Sequence, residues 1–368
     1  MRNIDRRQWL KSIGLVGTAA LLAKTEALAL DIEPRPFLDG EPIKLNFNEN
    51  PYGPSKKVRA AMTNAFEIGC RYPSNGELAE LIADKEGVTA DHIVVTGGST
   101  EGLCATGLTY GVAGGEIIAA DPTFQAMLRY AENQGAYVHR VPLNDKMEHD
   151  LQAMANRVTS KTRLIFVCNP NNPTGTLLNK DILKDFCNSL EKKAVIFSDE
   201  AYYDFITEPD YPSMVELVKE GKNVIVSKTF SKVYGLAGVR VGYLVARPDI
   251  ARRLENNVMA STNILAIAAA TEALKDDEFY KYSVSKNLEA KNAIYKTLDS
   301  LKLSYIKSHT NFVFFNAGVP TRQLIGDMRG QNVIIGRPFP PMDNWARIST
   351  GTMEEVNAFN SALKKVLS

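Results

Sequence analysis

Ser227, Thr229, Ser231, Lys232 and Arg240 fall within one short stretch, and together they offer hydroxyls, an amine and a guanidinium. Side chains of these types, brought together, hold a phosphate. An amine beside a phosphate has a further use. Lysine forms a Schiff base with an aldehyde, and the phosphorylated aldehyde that proteins use most in this way is pyridoxal phosphate. Taken alone, an S-x-x-x-S-K stretch also reads as a basic surface loop, because lysines are mostly exposed. The elements that would position these residues therefore matter.

The stretch follows the apolar run Asn223-Val224-Ile225-Val226 and doubles back through Gly235 and Gly238 into another apolar run over 239–245. It is a loop at a strand end, and in open α/β sheets ligands sit at such ends. Further short apolar runs predict strands at 93–96, 116–120, 163–168 and 194–198, with helical patterns at 101–109, 123–134, 179–190 and 212–220 between them. Each strand ends in polar punctuation: Gly97-Gly98-Ser99-Thr100, Asp121-Pro122-Thr123-Phe124, Asn169-Pro170-Asn171-Asn172-Pro173-Thr174-Gly175 and Asp199-Glu200-Ala201-Tyr202. A strand, a glycine turn and a helix start at 97–101 make an anion site, since unpaired backbone N–H groups face the turn. The turn lacks the G-x-G-x-x-G spacing of a dinucleotide fold.

Strands alternating with helices predict an α/β fold, a mostly parallel sheet flanked by helices on both faces. After Pro248 the pattern changes to long helices near 249–275 and 277–301, short strands near 303–306, 311–315, 332–335 and 346–349, and a last helix over 354–367, a smaller α+β domain. The expected organisation is an N-terminal segment 1–29, an arm 30–50, a large domain 51–250 and a small domain 251–368.

The 368 residues are 45% apolar with a net charge of +1, so nothing marks nucleic acid as a partner, and a small-molecule ligand is expected. The four cysteines, Cys70, Cys104, Cys168 and Cys187, have no metal-site spacing; an exported protein could pair them, but most read as buried free thiols. The first residues stand apart. A basic start containing Asp5-Arg6-Arg7-Gln8-Trp9-Leu10-Lys11, a small apolar run over 12–23 and Ala27-Leu28-Ala29 are the parts of a secretory signal. The paired arginines resemble a twin-arginine export signal, with Asp5 and Trp9 where Ser or Thr and Phe are usual. The run is too short to span a bilayer, so cleavage near Ala29 and a periplasmic location are expected, with cytoplasmic retention as the alternative.

The ordered set N-P-x-N-P-T-G, D-E-A-Y, S-K-x-x-S-K and R-x-G-Y resembles the fold-type-I, aspartate-aminotransferase-like pyridoxal phosphate enzymes. N-x-N-E-N-P-Y-G-P-S at 46–55, R-Y-P at 71–73, G-S-x-E at 98–101 and R-I-S-x-G-T at 347–352 are similar to the histidinol-phosphate aminotransferase branch. The resemblance covers essentially everything after the signal.

It implies that Lys232 binds the aldehyde and then carries a proton at the substrate Cα, while Asp199 pairs with the ring nitrogen. Asn172 and Tyr202 would hydrogen-bond the ring oxygen, and Phe124, where the branch usually has Tyr, would stack on the ring or pack in the core. Ser99, Thr100, Thr229, Ser231 and Arg240 would cradle the phosphate, and Tyr72 would reach it from a second subunit, implying a homodimer. Arg347 would grip the substrate α-carboxylate, Asn50 and Tyr52 would line the substrate side, and Arg337 is either a ligand for a distal phosphate or a surface residue.

The implied reaction is transfer of an amino group from an amino acid, histidinol phosphate or an aromatic or other L-amino acid, to a 2-oxo acid such as 2-oxoglutarate. Two alternatives stand beside it: decarboxylation of an amino acid on the same fold, and a non-catalytic nucleotide- or solute-binding module.

Overall fold

The computed structural model describes residues 41–368, so the export-signal expectation and the first part of the arm lie outside the described residues. The chain begins with β1 (Ile43–Lys44) and then builds most of its main sheet from the runs expected: β2 (Ile93–Thr96), β3 (Glu116–Asp121), β4 (Tyr137–Pro142), β5 (Thr162–Cys168), β6 (Val195–Asp199), β7 (Val224–Thr229) and β8 (Gly242–Ala246). These seven pair in the order β2-β8-β7-β6-β5-β3-β4. All neighbours are parallel except β8, which runs antiparallel to both β2 and β7. The sheet is thus mostly parallel, and the loop between β7 and β8 is a direct reversal rather than a helical crossover.

All the strands of this sheet but the edge strand β4 are buried on both faces, as their continuous apolar runs require. Alternate side chains fall into two cores: Ile165, Val167, Ile196, Val224 and Val226 on one face, Leu164, Phe166, Phe197 and Ile225 on the other. A third core belongs to the C-terminal part. There β9 (Phe312–Asn316) pairs antiparallel with β11 (Trp345–Ser349) under the helices Asp277–Ser300 and Met353–Leu367. Ile43 and Leu45 join that core, and β1 pairs parallel with β10 (Val333–Ile334). The arm after residue 41 is therefore tied into the C-terminal part, and it passes over the strand ends on the way.

Three sequence expectations need correction. The strand β4 falls where none was expected, because Tyr-Val-His-Arg-Val-Pro is an edge strand with most positions at least partly exposed, and so has no continuous apolar run. The single helix expected over 249–275 is two, Pro248–Glu255 and Ile264–Ala273, parted by a polar stretch whose last residue, Asn263, caps the second by accepting from Ala266 N at 2.8 Å. Of the strand expected at 303–306, only a single bridge from Tyr305 to Phe315 forms. All four cysteines are free, Cys168 and Cys187 fully buried.

Candidate active site

The ends of β6 and β7, the turn before the helix Ser99–Gly111, the arm at 46–49 and the end of β10 enclose a cavity of about 780 Å³. Lys232, Asp199, Asn172, Tyr202, Phe124, Ser99, Thr100, Ser231, Arg240, Arg337 and Arg347 all border it. Residues far apart in sequence meet there because most of them sit at or near strand ends, while Arg347 comes from within β11.

Asp199 is the last residue of β6 and is buried, with Oδ1 accepting from Ala201 N at 3.3 Å. Burial pushes its carboxyl up to about 7, with the neighbouring Glu200 adding to the rise. A carboxyl in that state gains from a cationic partner. Among the described residues Lys232 has no carboxylate within ion-pair distance; its Nζ donates to the backbone oxygens of Asn48 at 2.9 Å and Phe47 at 3.4 Å. Burial, with Arg347 and Arg240 nearby, lowers its amine to about 8. A measurable share is therefore neutral near physiological pH, as a nucleophile or base requires.

The phosphate end is built from backbone. Gly98, at φ +90°, turns the chain into the helix Ser99–Gly111, whose first N–H groups receive no side-chain cap. A Cβ at Gly98 would collide with the Arg240 guanidinium, so the turn and that side chain lie in contact. Arg240 itself holds a left-handed backbone, φ +65°, and its Nη1 donates to Ala237 O at 2.8 Å and Ser231 Oγ at 3.4 Å. Gly235, also left-handed, has no room for a side chain because the loop packs on the Gly53 backbone.

On the opposite wall Arg347, from β11, is buried, donating from Nη1 to Asn172 Oδ1 at 2.6 Å and from Nη2 to Asn46 O at 2.8 Å. Its Nε is buried without a partner among the described residues. Burial lowers this guanidinium to about 10, and Arg337 contributes. A buried cation with a donor to spare is a carboxylate ligand by its chemistry.

These residues fit the cofactor expected from the sequence. The uncapped helix start with Arg240 and Ser231 would hold its phosphate, Asp199 its ring nitrogen, Tyr202 and Asn172 its ring oxygen, and Lys232 its aldehyde. Phe124 lines the cavity and also packs on one of the sheet cores.

Four expected residues lie elsewhere. Thr229 does not border the cavity; its Oγ1 accepts from Ser231 N at 3.1 Å and so steadies the loop from behind. Asn50 is turned away, its amide donating to Val233 O at 2.9 Å and Ser283 Oγ at 3.0 Å, and Tyr52 packs edge-on against Tyr282. Tyr72 is wholly exposed and does not reach the cavity within one chain. Sequence reasoning missed Asn48, and also Arg322 and Arg329, which border the cavity with Ile325 on the helix Thr321–Gly330. Their i, i+3, i+7 spacing was a readable signal for a shared helix face.

The chain belongs to the aminotransferase class I and II family, whose profile matches residues 41–363, and it is a transaminase with the aspartate-aminotransferase-like fold. It is 37% identical over 354 residues to histidinol-phosphate aminotransferase from Moorella thermoacetica, covering 91% of each chain. A crystal structure from Erwinia carotovora atroseptica, of a protein proposed to be a histidinol-phosphate aminotransferase, is 33% identical with TM-score 0.85, covering 88% of this chain and 95% of that one. The histidinol-phosphate aminotransferase of Sinorhizobium meliloti, solved with pyridoxal-5'-phosphate, is 25% identical with TM-score 0.83, covering 89% of this chain and 91% of that one.

Proposed function

We propose that the protein is a pyridoxal phosphate-dependent aminotransferase acting on an amino donor that carries a distal anion, with a 2-oxo acid such as 2-oxoglutarate as acceptor. The observation that carries this reading is one cavity bordered by an amine lowered to about 8, a buried carboxyl and a buried guanidinium: Lys232, Asp199 and Arg347.

When bound, pyridoxal phosphate supplies an aldehyde that takes up amines and a ring that withdraws electrons from the substrate Cα. The rest of the work falls to the chain. Lys232 Nζ would hold the aldehyde and, once freed, would serve as the base that moves the proton from the substrate Cα. Asp199 would pair with the ring nitrogen, and a cation there would favour its ionised form. Arg347 takes the α-carboxylate with the donors its two neighbours leave free.

Arg337 supports the distal anion. It is exposed to the cavity, stacks on Phe339 at 4.3 Å and has no carboxylate partner among the described residues. Histidinol phosphate, the substrate in the relatives' names, is the first donor to assay. A homodimer is part of the proposal: Tyr72, Phe66, Ile68 and Met259 are large, apolar or aromatic, and exposed, as a subunit interface leaves them in a single chain. Export through the twin-arginine machinery to the periplasm rests on the pattern in residues 1–29.

The test is a panel of amino donors assayed against 2-oxoglutarate with purified, cofactor-loaded protein. Transfer from a phosphorylated donor that drops in Arg337→Ala, while transfer from an uncharged donor holds, supports the reading. Carbon dioxide release without consumption of the oxo acid overturns it. Fractionation tests the location, and full-length protein retained in the cytosol contradicts export.

A further inference from the structure

Asn48 lies in the arm, 184 positions from Lys232 and 301 from Ser349, and touches both. It is almost wholly buried and has a left-handed backbone, φ +56°, which asparagine tolerates better than other side chains do. That conformation sends its carbonyl to Lys232 Nζ and its amide to Tyr202, where Nδ2 donates to the hydroxyl at 2.9 Å.

The neighbours of that last bond favour this direction. Asn48 N donates to Ser349 Oγ at 2.8 Å, and the serine hydroxyl in turn donates to Asn48 Oδ1, 3.0 Å away. The amide oxygen is thereby held at Ser349 and the NH₂ faces Tyr202. Asn172 is fixed in the same way. Its Oδ1 receives Arg347, which can only donate, and its Nδ2 reaches the same hydroxyl at 3.3 Å. The Tyr202 oxygen therefore accepts from two amides, and its own proton has no acceptor among the described residues. Tyr202 borders the cavity, so that proton is free to be donated into it.

We propose that Asn48 is a positioning residue for the reaction: its amide, held by Ser349, aims the Tyr202 proton at the ring oxygen of the bound cofactor. The inference rests on the proposed function and extends it. A hydrogen bond to a charged oxygen favours the charged form, so the aimed hydroxyl lowers the pH at which the Lys232-bound chromophore loses its proton. One arm residue thus couples the path of the N-terminal arm to the electronics of the site.

The experiment is a pH titration of visible absorbance in protein loaded with pyridoxal phosphate. Asn48→Gly keeps the left-handed backbone and removes the amide. The midpoint is expected to rise by about one pH unit, the scale of one hydrogen bond to a charged group. Tyr202→Phe should raise it at least as far, and the double variant no further than Tyr202→Phe alone. A wild-type midpoint in Asn48→Gly, or shifts that simply add in the double variant, would overturn the proposal and leave Asn48 a packing residue. If Asn48→Gly does not fold, Ser349→Ala decides, since it frees the amide to turn over; a smaller rise supports the proposal and an unchanged midpoint defeats it. Wild-type protein that never acquires the absorbance refutes the proposed function itself, an outcome distinct from a wild type that titrates with variants that do not shift.

Discussion

Lys228 and Lys232 are four residues apart in one stretch and live in different chemical worlds. Lys228 is on β7, on the sheet face of Val224 and Val226, and is nearly buried. Its Nζ sits 2.9 Å from Glu86 and 3.8 Å from Glu200, over the ring of Tyr203 at 4.6 Å. Burial alone would lower its pKa, but Glu200 and Glu86 outweigh that and hold it above the usual lysine value. Lys232, just past the strand end, hydrogen-bonds only to backbone carbonyls among the described residues, lies over the Tyr202 ring with Arg347 and Arg240 nearby, and falls to about 8. Partners decide the use of a lysine: carboxylates make it a fixed structural cation, and their absence leaves a reactive amine.

The largest effect expected from breaking this contrast is on catalysis. Lys232→Ala should cost at least about 10⁴-fold in kcat, the upper end of what proton transfer contributes, because the anchor is lost as well. Its denaturation midpoint near pH 7 should not fall, since no ion pair is broken and a buried amine that is largely charged at that pH is removed. Lys228→Met should do the reverse. It strands Glu86 and Glu200 as buried unpaired carboxylates, a destabilisation of about 3–5 kcal/mol in chemical denaturation. If Lys228→Met keeps its stability and loses turnover, the two lysines have been assigned the wrong way round.

Next comes Asp199→Asn, which keeps the shape and removes the charge proposed to face the ring nitrogen. We expect about 10²–10³-fold slower turnover, the scale seen when one preorganised charge partner is deleted, with substrate KM little changed.

The smallest effect is on the stability of cofactor-free protein with pH. Between about 8 and 10.5 the unfolded chain holds a proton on Lys232 that the folded chain has released, so stability rises with pH in that window. The gain is up to about 3 kcal/mol, and it should vanish in Lys232→Met. Lys228 acts with opposite sign: its contribution is complete below its unfolded pKa and is lost as pH climbs through the higher folded value. Denaturant midpoints of wild type, Lys232→Met and Lys228→Met from pH 7 to 11 would separate the two.

Much of the cofactor side was readable because it is built from strand ends. Asp199, Asn172, Ser99 and Lys232 each follow an apolar run that could only be a buried strand, and the sheet then fixes where those ends meet. The substrate side was less readable. Arg347 could be named from its motif, but nothing local tells that Asn50 spends its amide on Val233 and Ser283, or that Asn48 bonds residues 301 positions away. Edge strand β4 was hidden for a related reason: half-exposed segments carry no hydrophobic signature of their own.

The most direct test of the account is borohydride reduction of the protein loaded with pyridoxal phosphate, followed by peptide mass spectrometry. The account predicts one stoichiometric pyridoxyl group, on Lys232. Label on Lys228, or on no single lysine, would contradict it.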